Sequence, residues 1–291
     1  MGIELQELRR RDFLSGVTRL QAITIGHRAD VDAASVGAVH SVFARSVNLQ
    51  IDEDLWTLVA SNSADLPFGI RIALDDFEVF GLCRGDRVSV RAGHVAIDSE
   101  RARIVVDCRA APRWRHVPRC RLEPGLDHRL AIVGDAAWPK AWAGSGAMAR
   151  AVTSALAGPP VLAETIGSVV GNGPGLTPAG DDVLAGILAV LTSPAAGLGG
   201  AAAAASLREL IPPLLPRTGD VSAQLLRQAL NGVFCRPLHD LVDAVAGGAA
   251  ADEVEDAVCR VIAIGATSGA DACVGLITSA SVYFRRQEGL A

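Results

Sequence analysis

Two adjacent carboxylates close the segment GNGPGLTPAGDD, Gly171 to Asp182, which places four glycines and two prolines in twelve positions. Threonine suits a helix N-cap and proline the first helical position, so Thr177-Pro178 predicts a helix running to about Thr192. Its unsatisfied N–H groups and dipole would point back into the loop from Gly171 to Leu176. There Asn172 lies between glycines, and Gly173 and Gly175 can take backbone conformations closed to other residues. Such a junction binds anions. Gly180 removes a side chain in the first turn, where a ligand or another backbone would approach.

Asp181 and Asp182 complicate that reading, because ionised carboxylates complement the helix dipole but repel a bound anion. Successive helical residues point about 100° apart, so the two cannot act as one bidentate group. One is expected to brace the loop while the other faces a ligand, a metal or a partner's arginine. A capped helix with solvated acids is the structural alternative.

A second stretch, GATSGADACVG from Gly265 to Gly275, repeats the grammar. The segments Gly180 to Gly186 and Gly269 to Gly275 both read G-x-D-x-x-x-G, and Ser268 with Asp271 reads as an N-cap box with Asp in place of Glu. In each helix a glycine lies one turn beyond the aspartate, leaving a small-residue face. Close helix packing explains such a face by itself. An aspartate beside each glycine points further, to two helix N-termini converging on one small polar pocket walled by Asp182 and Asp271. A third stretch, RTGDVSAQLLRQALNG, offers Thr218 or Asp220 as a cap, Ser222 in the first turn and Arg217 to neutralise an anion.

The elements that must position these groups fall into two regimes. From about Val36 to Val117, short runs such as GIRIAL and RVSVRAGHVAI are bounded by turn signals at Gly85-Asp86 and Ala92-Gly93. Arg87 to Arg91 alternates polar and apolar, as a strand buried on one face does. From about Trp138 onward, Ala, Leu and Val recur at helical spacing between breakers at Gly158-Pro159-Pro160, Ser193-Pro194, Pro212-Pro213 and Gly247-Gly248, predicting six to eight helices. The expected fold is α+β: a β-rich, small antiparallel barrel or sandwich-like domain over residues 15–125, then an all-α domain over 135–291. Ala111 to Gly134 reads as the linker.

Composition sets outer limits. The chain has 291 residues, half of them hydrophobic, and a net charge of −5, which argues against a nucleic-acid partner. The first residues lack the apolar core of a secretory signal, and Val183 to Leu191 is too short to span a membrane, so a cytoplasmic protein is expected. Six scattered cysteines (83, 108, 120, 235, 259 and 273) show no zinc spacing and are expected to be reduced and mostly buried. Histidines 27, 40, 94, 116, 128 and 239 are isolated, so no metal site is predicted from them. Lys140 is the only lysine and lies outside any glycine loop, which excludes a P-loop. The α-rich half lacks the strand–helix alternation of a dinucleotide-binding unit. The GSG at Gly144 to Gly146 lacks the flanking pattern of a hydrolase elbow. A divalent cation such as magnesium, held by Asp181, Asp182 and Asp271 against a phosphate, is the remaining cofactor alternative.

Together GNGPGLTPAGDDVLAG, TGDVSAQLLRQALNG and IGATSGADACVG, in that order, resemble a bacterial family first described as a domain of unknown function with a putative-carboxylase label. It includes the AllH-type subunit of oxamate carbamoyltransferase. GAVHSVFARSVNL and LWTLVAS are similar to the family's amino-terminal region, so the likeness spans most of the chain. The resemblance implies a subunit of an assembly, with FdrA-like partners in allantoin degradation, that moves a carbamoyl group between carbamoyl phosphate and oxamate. It assigns no catalytic residue. Both substrates are small anions, and transfer passes through a tetrahedral species whose oxyanion needs preorganised donors. The competing class is a noncatalytic assembly subunit, in which the same loops only brace the fold.

Overall fold

The computed structural model describes residues 16–118, 121–156 and 159–288. Cys120, Gly158 and nearly all of the amino-terminal segment read for a signal sequence lie outside these residues. The chain divides into two compact units, Met1–Arg115 and His116–Ala291.

The first unit is a barrel. Its strands are β1 (Val17–Gly26), β2 (Ser35–Phe43), β3 (Ser46–Ile51), β4 (Asp54–Val59), β5 (Gly69–Ile72), β6 (Arg87–Arg91), β7 (His94–Asp98), β8 (Arg103–Asp107) and β9 (Arg113–Trp114). They run in the order β5-β4-β3-β2-β6-β7-β8-β1-β9, and β1 also pairs with β5, which closes an eight-stranded ring and removes its free edges. The alternation read in Arg87 to Arg91 sends Val88 and Val90 into the core with Val95, Ile97, Ile104 and Val106. Ala92 and Gly93, both at positive φ, make the tight β6–β7 turn.

Two expectations for this unit need correction. The strands begin at Val17, earlier than the alternation near Val36 suggested. The ring is also not wholly antiparallel: β1 pairs parallel with β8 through Val17↔Arg103 to Gln21↔Asp107, and β4 pairs parallel with β5. A register shift between Ala22 and Thr24 lets one long strand leave β8 and continue antiparallel to β5. At that seam buried Asp65 accepts hydrogen bonds from the Thr24 hydroxyl and from Arg71 Nε at 3.0 Å.

The second unit is helical among the described residues: α1 (Leu126–Ala137), α2 (Ser145–Ala155), α3 (Pro159–Val169), α4 (Ala179–Leu191), α5 (Gly197–Leu210), α6 (Asp220–Leu230), α7 (Arg236–Ala246), α8 (Ala251–Ile262) and α9 (Ser268–Glu288). From Trp138 onward that makes eight, within the expected range. The expected linker is partly helix, because α1 begins inside it and runs three residues past its end. Buried Arg129 on α1 fixes the preceding turn, donating to the carbonyls of Glu123, Pro124 and Val245 at 2.6 to 2.7 Å.

Helix α4 is apolar on nearly every side and runs through the middle of the unit, as an all-round hydrophobic helix must. It crosses α9 at very short range. A Cβ on Gly186 would stand 1.8 Å from the Ala272 carbonyl oxygen, and one on Gly275 would stand 2.1 Å from that of Val183. The contact is reciprocal, because Val183 and Ala272 hold the same place in the two G-x-D-x-x-x-G segments. The leading glycines match too: a Cβ on Gly180 would meet the Val169 carbonyl at 2.1 Å, and one on Gly269 the Val261 carbonyl at 1.8 Å.

Candidate functional site

The crossing brings the three glycine-rich stretches to one end of the helical unit, where hydroxyl groups and aspartates interlock. Asp181, 2 % exposed, is the knot of the first group. Its Oδ1 accepts the Gly171 N–H at 2.8 Å, and its Oδ2 accepts the Thr218 hydroxyl at 2.5 Å and the Ser222 hydroxyl at 2.7 Å. Asp181 therefore ties the loop before α4 to the start of α6. The expected caps are not formed: α6 begins after Gly219 without a side-chain cap, because Thr218 and Ser222 are committed to this carboxylate.

Asp182 faces the other way, as the angle between successive helical residues requires. The Thr177 hydroxyl donates to its Oδ2 at 3.1 Å. Thr177 Oγ1 and Ser268 Oγ share a hydrogen bond of 2.9 Å, and the Ser268 hydroxyl also bonds the Asp182 carboxylate. Thr177 is thus not the predicted N-cap; the helix starts one residue later, after Pro178. Burial pushes the Asp182 carboxyl up to about 7, the two hydroxyls pull it back, and the charges of Asp271 and Asp181 add to the rise. A carboxyl so placed exchanges its proton near neutral pH.

Asp271 is fully buried. Its Oδ1 accepts the Trp142 N–H at 2.8 Å and the Ser145 hydroxyl at 2.6 Å, while its Oδ2 has no hydrogen-bond partner among the described residues. The predicted N-cap box is absent, since α9 begins at Ser268 itself and the Asp271 side chain turns to the α1–α2 connection. Trp142 and Ser145 were not read as site residues. The signal was the hydroxyl between two glycines at Gly144 to Gly146, set aside for want of a hydrolase pattern.

The helix N-termini are less open than an anion cradle requires. The Gly180 N–H donates to the Asn172 carbonyl at 2.8 Å, and the Gly269 N–H to the Ile264 carbonyl at 3.0 Å. Gly173 and Gly175 have φ of 108° and 104°, and among the described residues their N–H groups meet no protein acceptor. Arg217 is exposed, donates through Nη1 to the Gly167 carbonyl and, among the described residues, pairs with no carboxylate.

Among the described residues no group of three or more His, Cys, Asp and Glu is placed to hold a metal ion. The five described cysteines are free thiols, but only Cys108 and Cys273 are buried, which corrects the expectation of mostly buried cysteines. Cys235, half-buried just before α7, lies within the field of Asp182; desolvation of the sulfur pushes its thiol up to about 11 and that of Cys273 up to about 12. Neither is a thiolate at neutral pH. The histidines are not all isolated. The rings of His116 and His239 stack with centroids 3.8 Å apart, and His116 Nε2 lies 3.6 Å from Asp243 Oδ2.

Two family models match the chain and together cover most of it: oxamate carbamoyltransferase subunit AllH over residues 169–280, and the AllH family N-terminal domain over 18–113. The chain belongs to the AllH family. The first match begins at the last residue of α3 and ends within α9, so it holds Asp181, Asp182, Asp271 and every hydroxyl that binds them except Ser145. The N-terminal match covers all of the barrel strands except the ends of β1 and β9. Nothing matches this AllH family member among curated proteins or among solved structures. No single helix among the described residues is long and apolar enough to cross a membrane.

Proposed function

We propose that this chain is a subunit of an oxamate carbamoyltransferase and that its substrate lies at the end of the helical unit where α4 and α9 cross. The observation that carries the reading is the meeting of three glycine-rich stretches at the adjacent carboxylates Asp181 and Asp182, within the segment matched by the AllH model. The exposed Arg217 guanidinium and the N–H groups of Gly173 and Gly175 suit the anionic end of oxamate, oxalurate or carbamoyl phosphate. In the synthetic direction the oxamate nitrogen attacks the carbamoyl carbon. The C–N bond forms, the C–O bond to phosphate breaks, and the nitrogen loses a proton. In the reverse direction phosphate attacks oxalurate and releases oxamate.

The family's description as a subunit supports a hetero-oligomer, with FdrA-like chains as the proposed partners. A magnesium ion would enter with the phosphate-bearing substrate rather than sit in a preformed cage. The test is phosphorolysis of carbonyl-labelled oxalurate followed by carbon NMR, with this chain alone, with an FdrA-like subunit added, and with or without magnesium. Carbamoyl phosphate formed only in the presence of this chain supports the reading. Turnover by the partner alone at the same rate refutes it.

The bonds already made by Gly180 and Gly269 favour a second reading, a noncatalytic assembly subunit whose loops brace the fold. In that case substitutions at Asp182 and at Arg217 alike would leave turnover of the assembly unchanged.

A further inference from the structure

Hydrogen-bonding accounts at the crossing do not balance, and the imbalance has a direction. One leading donor of each helix, the Gly180 and the Gly269 N–H, is used internally, by the Asn172 and Ile264 carbonyls. Apart from the Gly173 and Gly175 N–H groups in the loop, what remains is acceptor capacity: the Asp182 carboxylate and Asp271 Oδ2, a fully buried oxygen with no donor among the described residues. The Asp271 charge falls on Asp182, and among the described residues neither carboxylate forms an ion pair. Removing an uncompensated carboxylate from water is costly, and a fold keeps one where a ligand or a proton supplies the missing donor. Apolar neighbours could have filled the same volume, as they do along the rest of the α4–α9 contact.

We propose that Asp182, backed by Asp271, is the receptor for the N–H groups of an amide or ureide substrate and takes up the proton that leaves its nitrogen. The proposal rests on the carbamoyl-transfer reading for the identity of the substrate but not for its chemical class. When oxamate nitrogen bonds to the carbamoyl carbon, its proton passes to the Asp182 carboxylate as the C–O electron pair leaves with phosphate. Asp182 then returns the proton to phosphate or to water. Thr177 and Ser268 hold the carboxylate in place, and Asp271, Asp181 and the Cys235 thiol are the titratable groups whose fields reach it or feel its own.

The test is calorimetric titration of the full chain with oxalurate, with N-methylurea, which keeps the N–H face but has no carboxylate, and with oxalate, which has no N–H. Oxalurate and N-methylurea are expected to bind the wild type more tightly from about pH 6 to about pH 8, as the carboxyl ionises. Asp182→Asn is expected to weaken both by about tenfold or more and to flatten that dependence. Should Asp182→Asn fail to fold, Ser268→Ala is expected to move the pH midpoint upward, because a hydroxyl that favours the ionised form is lost. Unchanged binding in Asp182→Asn, an unmoved midpoint in Ser268→Ala, or oxalate binding as tightly as oxalurate would overturn the proposal. N-methylurea binding that depends on Asp182, without oxalurate phosphorolysis, would leave the receptor standing and remove the carbamoyl-transfer reading. Phosphorolysis unaffected by Asp182→Asn would do the reverse.

Discussion

Asp182 and Asp271 hold the same position in two copies of one seven-residue pattern, on helices that meet in reciprocal glycine contacts, yet their surroundings differ. Asp271 is sealed in and spends one oxygen on Trp142 and Ser145. Asp182 is partly open and is held by two hydroxyls. Repetition in sequence fixed the backbone geometry of the two helix starts. The chains packed around each start decided which aspartate braces and which is left to exchange a proton. A third carboxylate, Asp181, adjoins Asp182 in sequence but belongs to a different network because it points about 100° away.

The crossing itself is the first place to break the comparison. Gly186→Val puts a branched side chain where a Cβ alone would lie 1.8 Å from backbone, and is expected to cost about 3 kcal/mol or more or to abolish cooperative unfolding. Chemical denaturation of this variant and of Gly275→Val should give similar losses, since the contact is reciprocal. Next in size is Asp181→Ala, which strands the Gly171 N–H and the hydroxyls of Thr218 and Ser222. A loss of about 2 to 4 kcal/mol in urea unfolding is expected, with Asp182 chemistry less affected.

The two matched aspartates give finer tests. The Asp182 carboxyl has a folded value of about 7, above the ordinary carboxylate range, so the native state holds its proton more tightly than the unfolded chain does. Its contribution to stability is therefore largest at low pH and falls as pH rises from about 4 to about 7. Asp182→Asn is expected to remove that decline, gaining a few kcal/mol at most at neutral pH, as read from unfolding at a series of pH values. Asp271→Asn keeps an acceptor for Trp142 and Ser145 while removing the charge. Little change in stability is expected, with a lowered Asp182 midpoint, measurable by carbon NMR of the carboxyl. If Asp271→Asn were as damaging as Gly186→Val, the sealed aspartate would be a structural charge and the two aspartates would not differ in the way proposed.

Barrel and bundle were legible from periodicity, because alternation in Arg87 to Arg91 and helical spacing after Trp138 follow directly from which face is buried. The start of β1 was missed, and so were its two kinds of pairing. A strand that changes partner midway leaves a bulge near Ala22 and Thr24 but no break in composition. The site was legible in its glycines and aspartates and misread in its caps. Thr177, Thr218 and Ser268 have the residue types of N-caps, but each hydroxyl has an aspartate as a stronger acceptor than a nearby N–H, and for Thr218 and Ser268 that aspartate lies far away in the chain.

By itself, then, the sequence determined that two similar glycine-bearing helices carry matched aspartates, because the absence of a Cβ and the presence of a carboxylate are properties of single residues. Only tertiary structure decided that Gly186 meets Ala272, that Asp271 finds Trp142 and Ser145, and that Asp182 is left with hydroxyls and no cation among the described residues. Proton affinity and unmet hydrogen bonds depend on solvent exclusion and on neighbours up to 129 residues away in the chain, and no local pattern encodes either.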